Sequence, residues 1–191
     1  MQIKSVGVIG AGTMGNGIAQ VFAATGFQVV LQDLAEEALQ RGVATITKSL
    51  DRLLKKEKIS EQQKADTLAN IRTVTDMNEL AGVDLVVEAA IEDRDIKSDI
   101  FRQLDQICKP EAILASNTSS ISLTHIASVT GRSDKVIGMH FMNPVPMMKL
   151  VEIVRALQTS DQVSKQIEEI SKTIGKIPVV VNDSPGFVAN R

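Results

Sequence analysis

An apolar run that breaks straight into three spaced glycines leaves a chain few ways to fold. Ile3–Ile9 is such a run, and Gly10-Ala11-Gly12-Thr13-Met14-Gly15 follows it directly. Asn16–Thr25 then carries Ile18, Ala19, Val21, Phe22 and Ala23 at the spacing of a helix buried over much of its surface, and Gly26 ends it. Gln28–Leu31 is the next apolar run, with Asp33 at its end. Strand, helix, strand in this order predicts parallel pairing, because parallel strands need a crossover. Gly10 permits the tight turn, Gly12 lets the backbone approach a pyrophosphate, and Gly15 allows close helix–strand packing. Thr13 and Met14 open a helix whose free amides and partial positive charge suit phosphate groups. Asp33 would accept hydrogen bonds from ribose hydroxyls and repel a 2′-phosphate, which favours NAD over NADP. From this segment alone an FAD site stays open, whereas mere turn glycines followed by a capping Asp would require four features to coincide by chance.

The rest of the chain keeps the same alternation. Glu36–Lys58 places Leu39, Val43, Ile46, Leu50, Leu53 and Leu54 at helical spacing, and Ser60 with Gln63 forms a capping-box pattern opening a second helix over Glu61–Ile71. Two helices exceed what a crossover needs, so they predict a hairpin projecting from the sheet, with Lys55, Lys56 and Lys58 near its tip. Strands are expected at Arg72–Thr75, Val83–Glu88, Ala112–Ser116, Val136–Met139, Leu150–Arg155 and Ile177–Val181, and helices at Lys97–Cys108, Ser122–Ser128 and Gln162–Thr173. The expectation is an α/β, doubly wound, mostly parallel sheet. Ser184-Pro185-Gly186-Phe187 reads as a helix start, with Ser as cap and Pro in the first turn. Residues 1–183 are therefore expected to form one domain, and 184–191 the start of a helical domain that this chain lacks.

Composition removes several classes of function. Twenty-one Lys and Arg against 23 Asp and Glu give a net charge of -2, so no positive excess attracts nucleic acid or an anionic membrane. With no Trp or Tyr, the chain has little with which to stack single-stranded bases. A single cysteine, Cys108, forms neither an intrachain disulfide nor a zinc site, which points to a reducing compartment and the cytoplasm. No signal peptide, organelle transit segment or apolar membrane span is visible.

Chemistry gathers where strands end. Ser116-Asn117-Thr118-Ser119-Ser120 follows a predicted strand, where doubly wound sheets bind ligands. Such a run orients a substrate oxygen and a nicotinamide, or simply turns the chain and caps the next helix. His140 is expected at the end of another strand, before the two-proline loop Phe141–Pro146. Glu152 lies between Val151 and Ile153 in an apolar strand, where a carboxylate is costly unless paired. Pairing with His140 would fix the imidazole tautomer and make the other ring nitrogen a general base for a hydroxyl proton. A structural histidine and a solvent-facing glutamate are the plainer alternatives. His125, on a predicted helix, is read as structural.

The chain resembles the 3-hydroxyacyl-CoA dehydrogenase family, particularly its bacterial 3-hydroxybutyryl-CoA members. The resemblance rests on the glycine motif, Val86-Val87-Glu88-Ala89, Ser116–Ser120, His140-Phe141-Met142-Asn143-Pro144-Val145-Pro146, Leu150-Val151-Glu152 and Asp183-Ser184-Pro185-Gly186-Phe187. It implies a Rossmann-like fold and reversible oxidation of (3S)-3-hydroxyacyl-CoA to 3-oxoacyl-CoA with NAD, in fatty-acid or butyrate metabolism. By the family's pattern His140 is the base, Glu152 its partner, Ser119 a donor to the substrate oxygen, and Asn190 a substrate-positioning residue. The pattern further implies cofactor contacts at Asp33, Glu92, Lys97, Asn117 and Asn143, and CoA contacts at Ser49 and Lys56. It also implies a C-terminal helical domain that forms a homodimer and closes over the acyl chain. Without that domain, apolar surface is expected near Phe187 and Val188.

Three rivals stand beside this expectation. A dehydrogenase of a free hydroxy acid, similar to the gulonate dehydrogenases, would want a cationic clamp and no CoA groove. A non-catalytic NAD-binding module would need neither His140 nor Glu152. One half of a multifunctional fatty-acid oxidation enzyme would not be expected to begin at Met1, immediately before the first strand.

Overall fold

The structure is a computed structural model that describes residues 2–189. Six strands, β1 (Ser5–Ile9), β2 (Gln28–Gln32), β3 (Ile71–Val74), β4 (Leu85–Glu88), β5 (Ile113–Ser116) and β6 (Val136–Phe141), form a continuous parallel array. β7 (Leu150–Arg155) runs antiparallel to β6, and β8 (Ile177–Asn182) lies parallel to β7 at the edge. The order across the sheet is β3-β2-β1-β4-β5-β6-β7-β8. The chain goes outward from β1 through β2 to β3, then crosses back to place β4 on β1's other side. That reversal opens a crevice at the carboxyl ends of β1 and β4, the place where such sheets take ligands.

The central strands of the sheet are covered on both faces and read as continuous apolar runs, while the edge strand β8 leaves Ile177, Val179 and Val180 exposed. One face packs against α1 (Thr13–Ala24), α2 (Glu36–Lys55) and α6 (Asp161–Thr173), burying Val8, Ile18, Phe22, Leu39, Ile46, Val87, Met139 and Ile167. The other packs against α4 (Arg94–Ile107) and α5 (Leu123–Ser128), burying Val86, Phe101, Leu104, Leu114, Ile126 and Val136. Val86 and Val87 are sequence neighbours in opposite cores, as the alternation of side chains along a strand requires. Each such side chain contributes about 1.5–3 kcal/mol on burial.

The helical hairpin is present as α2 and α3 (Glu61–Ala69). Ser60 accepts from the Gln63 amide while Gln63 accepts from the Ser60 amide, so the predicted capping box forms. Leu39, Ile46 and Leu50 anchor the hairpin in the core, and Lys55, Lys56 and Lys58 are exposed at its tip.

Four local expectations change. β6 runs on through Phe141, so His140 lies inside the strand, because antiparallel pairing with β7 extends the ladder to Phe141↔Val151. α5 is capped by Ser122, which accepts from the His125 amide, and by no serine of the 116–120 run. Ser184–Phe187 does not begin a right-handed helix: Gly186 and Phe187 have φ of +75° and +50°, and the Phe187 amide bonds to the Ser184 carbonyl as in a turn. Phe187 was expected at an exposed apolar surface, yet it is buried, packed edge-on to His140; Val188 is exposed as expected. Asn190 lies outside the described residues.

Asp84 ties the start of the sheet to its centre. Its Oδ2 accepts from the Lys4 and Ser5 amides and the Ser5 hydroxyl, and its Oδ1 meets Lys109 Nζ at 2.5 Å. Burial pushes this carboxyl up, but Lys109, the two amides and the hydroxyl outweigh it, lowering the pKa from 3.8 to about 2. A folded-state value below the unfolded one adds stability that is complete above about pH 5 and lost as pH falls toward 2. Asp84→Asn is expected to lose about 2 kcal/mol at pH 7, with the difference from the parent vanishing near pH 2, in urea unfolding at a series of pH values.

Candidate active site

The glycine turn is built for a close-lying anion. Gly10, at φ +92°, turns the chain out of β1 against the Ala89 carbonyl, where a Cβ would come within 2.7 Å of oxygen. A Cβ on Gly15 would lie 1.6 Å from the Gly10 carbonyl oxygen, so only glycine lets α1 start this close to the strand. A Cβ on Gly12 would meet nothing within 4 Å, so this side of the turn faces open space. Gly12 is also the N-cap of α1; no side chain caps the helix and no acidic residue occupies its first turn. The first amides, at Thr13 and Met14, therefore keep their hydrogen-bonding capacity and the helix its positive end. Asp33 accepts from the Ala11 amide at 2.8 Å and holds the turn to the end of β2. Open backbone, free helix amides and an acidic side chain at the second strand fit a dinucleotide's pyrophosphate and ribose.

A second cluster lies across the crevice. The Glu88 and Lys97 side chains are essentially fully buried and meet at 2.6 Å. Lys97 Nζ also reaches the Ala90 carbonyl at 3.2 Å and Glu92 at 3.5 Å. Glu88 further accepts from the Ala90 amide and the Ser116 hydroxyl, both at 2.6 Å. Glu92 Oε1 accepts from the Thr118 hydroxyl, the Ser119 and Ser120 amides and the Ser120 hydroxyl. Burial raises the Glu92 carboxyl, but these donors and Lys97 hold it below the ordinary value. Asn117 Oδ1 accepts from the Phe141 amide at 2.9 Å, tying the serine loop to β6.

β6 and β7 bring the third cluster together. Their register sets His140 directly opposite Glu152. His140 Nδ1 lies 2.7 Å from Glu152 Oε2, and both residues are buried. Ser119 Oγ stands 3.2 Å from the other ring nitrogen, Nε2. Glu152 Oε1 accepts from the Val188 and Ala189 amides at 3.0 and 2.8 Å. A carboxylate only accepts, so Nδ1 carries the proton, and in the neutral imidazole this tautomer leaves Nε2 as the acceptor facing Ser119.

A cavity of about 330 Å³ opens between the glycine turn, α2 and the Phe141–Lys149 connector. Gly12, Thr13, Ser49 and Asn143 line it, which unites three expected cofactor positions and one expected CoA position. His140, Ser119 and Glu152 lie outside that lining, as does Lys56, the C-cap of α2. His125 approaches Ser98 at 3.4 Å, away from the His140 pair, in keeping with a structural role.

Sequence reasoning missed two features. Arg41 and Arg52 line the same cavity as Ser49, with Thr45 between them at helical spacing. The signal available was their 3–4 residue periodicity with Ser49 on a helix whose apolar face was already assigned. Glu88 was legible only as part of a motif, although a carboxylate at the end of an apolar strand calls for a buried partner. Glu88→Gln is expected to destabilise the domain by about 3 kcal/mol, because it leaves the buried Lys97 charge with only the more distant Glu92 carboxylate and the Ala90 carbonyl. The double variant Glu88→Gln/Lys97→Met should cost less than the sum of the singles in denaturant titrations.

With this geometry in place, likeness to known proteins is informative. Residues 5–184 match the family model described as 3-hydroxyacyl-CoA dehydrogenase, NAD binding domain. The chain is 52% identical over 185 residues to a probable 3-hydroxybutyryl-CoA dehydrogenase of Deinococcus radiodurans, covering 97% of this chain and 66% of that protein. It is 49% identical to the 3-hydroxybutyryl-CoA dehydrogenase of Clostridioides difficile, covering 96% and 66%. The crystal structure of (S)-3-hydroxybutyryl-CoA dehydrogenase from Ralstonia eutropha superposes with a TM-score of 0.98 at 54% identity, over 100% of this chain and 67% of that one. The chain thus spans about two thirds of the length of the curated relatives it matches. A glycine turn open to a pyrophosphate, a buried His–Glu pair and a family match over nearly every residue agree: the chain belongs to the NAD-binding domain family of the 3-hydroxyacyl-CoA dehydrogenases.

Proposed function

We propose that the chain supplies the cofactor-binding and proton-transferring part of an oxidoreductase that interconverts (3S)-3-hydroxyacyl-CoA and 3-oxoacyl-CoA, with short acyl chains such as 3-hydroxybutyryl. The observation that carries this reading is the 2.7 Å contact of His140 with Glu152, with Ser119 on the opposite ring nitrogen. NAD, when bound, supplies the two-electron acceptor for the carbon bearing the hydroxyl. His140 Nε2 takes the hydroxyl proton in oxidation and returns it in reduction. Glu152 holds Nδ1–H and stabilises the imidazolium that forms. Ser119 donates to the substrate oxygen and fixes it beside Nε2. The Glu92 cluster holds the Ser119 amide, and Asn117 ties that loop to the strand bearing His140.

On the cofactor side Gly10, Gly12, Thr13, Met14 and Gly15 cradle the pyrophosphate and Asp33 takes the ribose. Glu92, Lys97, Asn117 and Asn143 shape the nicotinamide end, Lys97 through its buried contacts. On the substrate side, Arg41, Ser49, Arg52 and Lys56 offer cations and a hydroxyl along α2 for the phosphates of CoA. Arg41 and Arg52 line a cavity that His140 does not, so they suit the phosphates of a CoA ester better than a clamp for a carboxylate beside the reacting carbon. Asn190 positions the acyl group in this reading. A helical domain following residue 183 completes the cleft and forms a homodimer, and the enzyme works in the cytoplasm. Among the described residues no helix is long and apolar enough to cross a membrane.

The test is NADH-dependent reduction of acetoacetyl-CoA by the full-length enzyme, followed at 340 nm. His140→Ala and Glu152→Gln are each expected to lower kcat about a hundred- to ten-thousand-fold, with NADH binding retained. Free acetoacetate should be a poor substrate. Turnover of the free acid at the rate of the CoA ester would replace this reading with the free-acid dehydrogenase. Tight NADH binding with no turnover of either would leave the non-catalytic module.

The α2 cations give a separate prediction. Arg52→Ala is expected to raise KM for acetoacetyl-CoA about tenfold with kcat nearly unchanged, since it removes binding uniform to ground and transition states. Steady-state kinetics over a range of salt concentrations would check this, because the wild-type advantage should shrink as salt rises.

A further inference from the structure

Lys176 is a buried ammonium in an unexpected place. Helix α6 ends in a Schellman turn: Gly175, at φ +76°, donates to the Lys172 carbonyl, and the Lys176 amide to the Ser171 carbonyl. The side chain at this second position past the cap is ordinarily apolar, packing back on the helix. Here it is a lysine, only 7% exposed. Its Nζ donates to two backbone carbonyls, those of Val145 and Met148 (2.7 Å for the latter). Among the described residues, no carboxylate forms an ion pair with it. Burial pushes its pKa below the ordinary lysine value. An ammonium held only by neutral carbonyls is an expensive way to fill a helix terminus, and an apolar side chain would do that better.

The segment that Lys176 grips borders the cavity. Val145 and Met148 belong to the connector between β6 and β7, the segment that joins His140 to Glu152. Asn143, Pro144, Val145 and Pro146 of this connector form one wall of the cavity whose opposite side carries Arg41, Ser49 and Arg52. The connector has little regular structure: the Met147 and Met148 amides both bond to the Pro144 carbonyl, and the Lys149 carbonyl accepts from the Ile177 amide. His140 and Glu152, by contrast, are fixed by strand register whatever the connector does.

We propose that Lys176 is a positioning residue for ligand binding, a staple that holds the connector as the cavity wall facing α2 and the glycine turn. It touches neither substrate nor cofactor. The identity of the substrate rests on the function proposed above; the staple itself does not. Losing it should therefore weaken binding of both ligands more than it slows the chemical step.

The test compares wild type, Lys176→Met and Lys176→Gln in the full-length enzyme. Gln keeps donors for the two carbonyls without the charge and serves in place of Met should Met fail to fold. For Lys176→Met the expected result is at least a fivefold rise in KM for acetoacetyl-CoA and in Kd for NADH, with kcat within about threefold of wild type. Lys176→Gln should recover part of both. Hydrogen exchange at the Met147 and Met148 amides should accelerate at least tenfold in Lys176→Met, while the β6 and β7 amides stay protected. A lowered Tm with unchanged KM, Kd and connector exchange, measured well below the transition, would show a merely structural lysine and overturn the proposal. Should wild type turn over no CoA ester, the proposed function fails instead, and NADH affinity and connector exchange still decide the role of Lys176.

Discussion

A carboxylate in the middle of an apolar strand persists only where its charge is bound, and Glu152 sets that condition for the catalytic half of this fold. Three donors satisfy it: His140 Nδ1 on one oxygen and the Val188 and Ala189 amides on the other. The imidazole arrives through the one antiparallel pairing in the sheet, which sets His140 and Glu152 side by side. The amides arrive through a turn that runs back over the active site at the end of β8. Phe187 adopts a left-handed backbone there and lays its ring against the imidazole. The imidazole is therefore held from a neighbouring strand, a turn and a ring at once.

Glu92 has the corresponding role on the cofactor side. One of its oxygens accepts from the serine loop and the other faces Lys97, so it joins the β4–α4 connection to the β5–α5 connection. Lys97 in turn is anchored by Glu88 beneath it, and Glu88 is anchored by Ser116. This line of buried charge and hydroxyl connects the crevice at the end of β1 to Ser119, which reaches His140. The Glu88–Lys97–Glu92 cluster and the His140–Glu152 pair thus rest on one connected polar network with apolar core on both sides. Such a network is stable only when every member is partnered, and no buried side-chain polar atom lacks a partner among the described residues.

Much of this was legible in local pattern. The glycine spacing, the alternation of apolar runs and the capping box at Ser60–Gln63 are short-range signals, and each specifies its own backbone. Pairing of His140 with Glu152 was inferable because a buried acid needs a partner and only two histidines exist. What local pattern obscured has physical causes. The end of β6 was placed too early because a histidine at a strand end is ambiguous until the opposing strand is known. Ser184-Pro185 mimics a helix start, but Gly186 and Phe187 enter the left-handed region, and contacts with Glu152 and His140 favour that turn. Arg41 and Arg52 look like ordinary solvated helix residues until the connector closes the cavity's other side.

The amino-acid sequence by itself determined the order of strands and helices, the open glycine turn and the residue types available for proton transfer, because these depend on contacts a few residues apart. Tertiary structure alone decided which oxygen of Glu152 meets the imidazole, where Lys97 and Lys176 bury their charges, and that α2 shares a cavity with the connector. Those outcomes depend on groups far apart in the chain, where burial makes each charge accept whichever partners the packed sheet delivers.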